Sequence, residues 1–587
     1  MVKAAKKSDS EFDNGNEKSI YQSQGKGNYK GSAQGIKYVK NSEGKRRTIV
    51  DENTKNLRRL YNKLMQKQKV NGKEINKPDI VTKILKLVNG NYAELCFKHD
   101  GCRVLQGSIK YGGKKQRYEI IQNLIPHIFN LISKKYSIYL ALKMVKYAEN
   151  KQKEEIIKQG VYPHFGKIIK NANGQAFLNF TFTNISNQLQ NSLIQYYMVK
   201  YLKISEEKIK NLTVDMMDES KKAENNEMII VEKQGTFDQE NVANDLKMHL
   251  EKQLEKEVHK TFLFQGFLNK IFDYLDSKTK SYVAEVFDDD VNEFLQSKQG
   301  IELSCKIFTV GSAKTRKKII KKLKDKLVTI INNETSALFL VKIILSTDDT
   351  KLVEKHIINF LVEQLNESFL QSKIIFKIFA NIISPCNSKT NNQYENKILQ
   401  YSIDSSSKKS DEKRHEEVIQ IILEDLYRVV NPNIKFMISD NNYSTLLVDL
   451  VNYLNTNNIN DKYADILKNI VDVLEIDYKT NFDDVKTTLL SDKNAHFVLN
   501  RIIKIVNSNL DQEFKLNFIK KIAEIFQCNF EAFLNTQAIF VIVKIMENEN
   551  TNKFLQKDVK KYKNFIQQKS TEKDLIGFQL LNKIISQ

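Results

Sequence analysis

The chain has 587 residues, 41% of them hydrophobic, with only 5 Pro, 20 Gly and no Trp. A single compact core does not grow to that length, and the scarcity of turn formers argues against a β architecture and for long runs of helix. The net charge of +21 is concentrated: residues 1–200 hold 37 Lys+Arg against 15 Asp+Glu, so the other 387 residues carry one net negative charge. Charge gathered at one end suits a polyanion, because each neutralised phosphate releases counterions. The five cysteines (Cys96, Cys102, Cys305, Cys386, Cys528) form no CxxC pair, which suits a reducing compartment and offers no metal framework.

In chain order, residues 1–50 are rich in Gly, Ser, Asn, Gln and Lys, and are expected to form a disordered basic tail. They lack the apolar segment of a secretory signal, and Lys45, Arg46 and Arg47 read as a nuclear-import cluster. No uninterrupted apolar run is long enough to span a bilayer, so a soluble intracellular protein is expected. Ordered helix begins near residues 54–68, and from about residue 80 the apolar period is 3.6. Within residues 117–159, Ile120, Ile121, Leu124, Ile128 and Leu131 share one helical face, and Ile138, Leu140, Leu142, Met144 and Val145 supply the next helix.

Such pairs repeat. KHDGCRVLQ begins at Lys98, KKYSIYLAL at Lys134 and KNANGQAFL at Lys170, intervals of 36 residues. A second series, SKQGIELSC from Ser297 and NNETSALFL from Asn332, has an interval of 35. Repeats of this length mark an α-solenoid, and the ankyrin and tetratricopeptide landmarks are missing. The segments expected are repeats over 51–204, a helical connection with a loop over 205–260, a second repeat series over 261–386, a flexible linker over 387–416, and a helical extension over 417–587. The extension reads either as a separate unit or as a continuation of the array.

The segment ELCFKHDGCRVLQGSIKYGGKKQRYEII (residues 94–121) resembles a Pumilio repeat, in the form found in the Puf-A/penguin branch. KKYSIYLALKMVKY (134–147), LSTDDTKLV (345–353) and KNAHFVLNRII (493–503) are similar to later stretches of that branch. The resemblance implies an all-α solenoid of Pumilio-like (armadillo-like) repeats, in one arc or two arms. It also implies a non-enzymatic RNA-binding factor in nucleolar assembly of the large ribosomal subunit. Its partners would be pre-ribosomal RNA, ribosomal proteins and assembly factors, with no cofactor. In the family a five-residue reader meets one base, so Cys102 and Gln106 would read the base edge and Arg103 would stack. Positions i and i+4 share a helical face, as that role requires.

The second repeat offers Ile138, Tyr139 and Leu142, where only Tyr139 can stack. The third offers Gly174, Gln175 and Leu178; the second series has Ile301, Glu302 and Cys305. A base-by-base code is therefore nearly absent, and recognition of phosphate and shape is expected instead. The cations expected to touch phosphate are Lys110, Lys114, Lys115 and Arg117 in the first repeat and Lys134, Lys135, Lys143 and Lys146 in the second. YGGKKQR (111–117) lacks phosphate-loop spacing and reads as a turn. Asp288, Asp289 and Asp290 read as an exposed loop or cap. The eight dispersed histidines form no HExxH, and no nucleophile elbow or kinase signature occurs, so no catalytic role is expected. Rival readings are an mRNA-binding translational regulator, which requires several intact reader triads, and an armadillo-like protein-binding scaffold.

Overall fold

The structure is a computed structural model that describes residues 38–40, 46–48, 52–66, 69–70, 73–74, 76–202, 248, 250–253, 257–273, 275–365, 372–402, 408–510, 512–572 and 574–586. These residues are almost wholly helical and divide into two compact units, residues 1–276 and 277–587. The expectation for residues 1–50 lies outside the described residues except at Tyr38–Lys40 and Arg46–Thr48, which pair antiparallel. The connection expected at 205–260 also lies outside them, apart from 248, 250–253 and 257–260, which include a turn at Val258–Lys260.

The long helices of each unit stack side by side. In the first unit they include α1 (Glu52–Leu64), α2 (Lys77–Val88), α3 (His99–Tyr111), α4 (Lys114–Leu124), α5 (Ile138–Tyr147), α6 (Ala172–Thr183) and α7 (Phe262–Phe272). Here α1 packs on α3, α3 on α5, α5 on α6 and α6 on α7, while α4 backs α3. The apolar faces read from sequence are the buried ones: Ile120, Ile121, Leu124, Leu140 and Met144 are fully covered.

One local device sets the repeat. The backbone N–H of Lys98 donates to the Leu95 carbonyl at 3.2 Å, closing a short turn before α3. The same bond recurs from Lys134 to Leu131, Asn171 to Ile168, Ser297 to Phe294 and Asn333 to Ile330. Three residues after each donor stands a small side chain: Gly101, Ser137, Gly174, Gly300 and Ser336. A Cβ on Gly101 or Gly174 would run into the carbonyl oxygen of Leu95 or Ile168, whereas Ser137 and Ser336 turn their hydroxyls onto Leu131 and Ile330 at 2.8 and 3.0 Å. By this register the steps are 36, 37 and 36 residues, not 36, 36 and 35. The residues of the third repeat that match Cys102, Arg103 and Gln106 are therefore Gln175, Ala176 and Asn179, a correction of one position.

The second unit stacks α8 (Ser277–Val286), α9 (Lys298–Val310), α11 (Glu334–Ser346) and α12 (Lys373–Ile383), with α10 (Ala313–Leu323), α13 (Gln393–Gln400) and α14 (Asp411–Val430) against them. The stack continues through α15 (Tyr443–Thr456), α16 (Ala495–Asn507), α17 (Ile539–Met546) and α18 (Ile576–Ser586). Residues 417–587 thus prolong the same array. The stretch expected as a flexible linker contains α13. Asn392 and Glu395 form its capping box, Ile398 and Leu399 are buried, and the buried Lys342 ammonium donates to the Leu399 carbonyl at 2.8 Å and to that of Tyr401. Two of the three acidic residues are ion-paired, Lys318 holding Asp288 at 2.6 Å and Asp289 at 2.9 Å and Lys322 also reaching Asp289, while Asp290 occupies the cap position of Val291–Phe294.

Candidate nucleic-acid interface

Helices α3 and α5 lie parallel. At their N-terminal ends His99 meets Tyr136 edge-on at 5.6 Å, and at their C-terminal ends Arg117, bonded to the Ile109 carbonyl, lies 5.2 Å from the Tyr147 ring. This pairing brings the candidate cations into two rims. The N-terminal rim holds Lys134 and Lys135, both exposed, with Tyr136 62% exposed between them and α5. Lys134 Nζ sits 4.2 Å from the Phe97 ring centroid. The C-terminal rim holds exposed Lys114, Lys115 and Lys146 and half-buried Lys110. A 13-residue helix separates the rims by about 18 Å, at about 1.5 Å per residue.

Between the rims the positions a base-edge reader would occupy are covered. Cys102 is 3% exposed, and its Sγ lies 3.9 Å from the Tyr136 carbonyl. Gln106 is half-buried and donates to the Cys102 sulfur at 3.4 Å, so the two edge positions of the first repeat are bonded to each other. Ile138 and Leu142 are buried. In the corrected third register, Gln175 donates to the Ile169 carbonyl at 3.0 Å and Asn179 accepts the Phe262 amide at 2.8 Å. What faces outward is the stacking position: Arg103 is exposed with its guanidinium 5.6 Å from the Tyr61 ring, and Tyr139 is half-exposed beside Lys143.

Arg117 is engaged inside the repeat. Its Nε donates to the Ile109 carbonyl and its Nη2 to the Gly112 carbonyl, both at 3.0 Å, capping the C-terminus of α3. Arg316 does the same for α9 through Phe308 (3.0 Å) and Thr309 (2.5 Å), and Arg414 bonds the Leu345 carbonyl of α11 at 3.2 Å. Each arginine stands four residues after the cap of its helix, Gly113, Ser312 and Ser410. Lys114 Nζ lies 3.7 Å from Glu149.

Sequence reading missed Lys77, whose ammonium lies 3.9 Å from the Tyr111 ring beside Lys110. Burial, then the neighbouring Lys110, lowers its pKa. The signal was present: Lys-Tyr recurs at 110–111 and 146–147, one repeat apart, placing an aromatic ring beside Lys110 and Lys146.

The chain is similar to several known proteins. Human Pumilio homolog 3 is 23% identical over 396 residues, 63% of this chain and 55% of its own length. Pumilio homology domain family member 6 of Schizosaccharomyces pombe is 24% identical over 408 residues, 67% of this chain and 59% of its own. The crystal structure of human Puf-A superposes with a TM-score of 0.68 at 20% identity, over 91% of this chain and 99% of that one. In sequence and in fold the chain resembles the Pumilio-repeat proteins of the Puf-A/penguin type. It spans little more than half the length of the curated relatives it matches. Human Puf-A has also been solved in complex with DNA, and that structure superposes with a TM-score of 0.66 at 20% identity. The CPL (NUC119) domain family matches residues 372–515, from the cap of α12 through α16.

Proposed function

We propose that the chain is a non-enzymatic RNA-binding factor that grips pre-ribosomal RNA by phosphate and shape during assembly of the large ribosomal subunit, in the nucleolus. The observation that carries this reading is the α3/α5 pair: covered edge positions, with Arg103 and Tyr139 outward between two lysine rims. Such a face attracts phosphate and stacks bases without choosing among them. The likeness to Puf-A, whose solved structures include one with DNA, supports it. The nearly neutral second unit would meet ribosomal proteins or other assembly factors. The test is binding of the full chain to single-stranded and duplex RNA across a salt series, beside a Lys134/Lys135/Lys146→Ala variant. Three lost phosphate contacts should lower the slope of log K against log salt by about 2 on single-stranded RNA, at about 0.7 each. An unchanged slope refutes the rims as the contact. A wild-type chain that binds no RNA at physiological salt leaves the protein-scaffold reading in its place.

A further inference from the structure

In the second unit a segment of the chain lies across the face that matches the candidate interface of the first. Lys98, Ser297, Asn333 and Ser372 cap α3, α9, α11 and α12. Counted from those caps, the stripe His99, Arg103 and Gly107 of α3 falls on Lys298, Glu302 and Lys306 in α9. It falls on Glu334, Leu338 and Lys342 in α11, and on Lys373, Lys377 and Asn381 in α12. Residues spaced by four share a helical face, so each stripe is one row.

Residues 391–401, which include α13, follow these rows from helix to helix. The Tyr394 hydroxyl donates to Glu302 Oε2 at 3.1 Å, and its ring lies 3.8 Å from Lys298 Nζ. Lys377 donates to Glu395 at 2.6 Å and to Glu334 at 3.0 Å, and the amides of Asn381 and Asn391 pair at 3.0 Å. Buried Lys342 donates to the carbonyls of Leu399 and Tyr401, and the Tyr401 ring lies 5.5 Å from Lys306, also buried. The segment thus gives these lysines what a nucleic-acid strand would give them: oxygens in place of phosphate and rings in place of bases. On the matching row of the first unit Arg103 is exposed and Tyr139 half-exposed.

We infer that residues 391–401 are an autoinhibitory strap that keeps RNA off this face of the second unit. This rests on the RNA-binding reading above and adds a regulation to it. Strap and strand need the same lysines, so only one of them can hold the face. The strap is built to open: α13 has eight residues, too few to stand as a helix alone, and its buried apolar side chains are Ile398 and Leu399. With the strap lifted, Lys298, Lys306, Lys342 and Lys377 outnumber Glu302 and Glu334 on the rows it covered. A segment that merely filled an apolar gap would not set a carboxylate, two carbonyls and two rings on four cations.

The experiment uses the full chain and a labelled single-stranded RNA of mixed sequence across a salt series. The strap is loosened in Tyr394→Ala/Glu395→Ala/Leu399→Ala, and more gently in Asn392→Ala, which removes a cap hydrogen bond and no charge. Hydrogen exchange should show amides 393–400 opening in both, with the rest of the unit still protected. The triple variant should bind RNA with a slope of log K against log salt steeper by about 1.4–2, two to three uncovered lysines at about 0.7 each. Asn392→Ala should move the slope the same way, and Lys377→Ala added to the triple variant should take back about 0.7. A strap that exchange shows to be open, with the slope and affinity of wild type, overturns the inference and leaves the RNA-binding reading standing. If the loosened chain binds RNA and wild type does not, the strap stands and the first-unit interface falls. If neither binds, both fall.

Discussion

Arg117 belongs to the basic run that sequence reading assigned to phosphate, yet its guanidinium fork closes on two carbonyls at 3.0 Å and stacks on Tyr147. Replacing it with Ala leaves the Ile109 and Gly112 carbonyls without that donor and removes a cation from a helix C-terminus. A hydrogen bond from a charged donor contributes about 1.5–3 kcal/mol, and a terminal cation about 0.3–1 kcal/mol, and the two overlap. Arg117 is half-buried, so water replaces part of the loss, and Arg117→Ala should cost about 2 kcal/mol. Arg117→Lys keeps the charge but not the fork, and should cost about half that. Urea denaturation measures both, and hydrogen exchange should locate the loosening at the last turn of α3. The RNA salt slope should not move. A variant as stable as wild type whose slope falls by about 0.7 would refute the capping role and return Arg117 to the phosphate contacts.

Arg316, buried where Arg117 is only half-buried, should cost more stability on conversion to Ala, and equal losses in urea would contradict the shared device. Gly174→Ala should destabilise by about 1–3 kcal/mol, because the Ile168 carbonyl must move to admit a Cβ. A gain of about 0.5–1 kcal/mol, the ordinary return for removing a helical glycine, would show the close approach to be absent. Burial pushes the thiols of Cys96 and Cys305 up to about 12 and raises that of Cys102, so a maleimide should label Cys528 quickly and these three only after unfolding. Rapid native labelling of Cys102 would put the base-edge position back in solvent. Burial alone pushes the Asp100 carboxyl up, but hydrogen bonds from His99 and Arg58 outweigh it and hold the group below its usual value. A depressed carboxylate adds stability that is complete above the unfolded value of about 3.9 and is lost as pH falls through the folded value. Asp100→Asn should flatten the acid limb of a stability–pH curve below about pH 4, and an unaltered limb would place that stability elsewhere.

The helices and their stacking were legible because the apolar period and the repeat interval both survive in the residues. The third register was not, because KNANG imitates KHDG: the alignment set Lys170 on Lys98, while the turn hydrogen bond and the close approach at Gly174 set Asn171 there. Helix α13 was hidden by its polar composition, since two apolar residues, one capping box and a buried lysine from α11 suffice to hold eight residues. At the site, the exposed lysines were legible as charge. The fate of Arg117 was not, because a cation in a basic run looks the same whether it meets phosphate or a carbonyl. Only the third occurrence of Arg four residues past a cap separates the two.

The most direct test of phosphate-and-shape recognition compares several unrelated RNA sequences, structured and single-stranded, at a series of salt concentrations. Affinities within about tenfold across sequences of one shape, with a slope corresponding to several phosphate contacts at about 0.7–0.9 each, are what this interface predicts. A preference of a hundredfold or more for one sequence, with a shallow slope, would contradict it and demand base-edge readers where Cys102, Ile138 and Leu142 are buried.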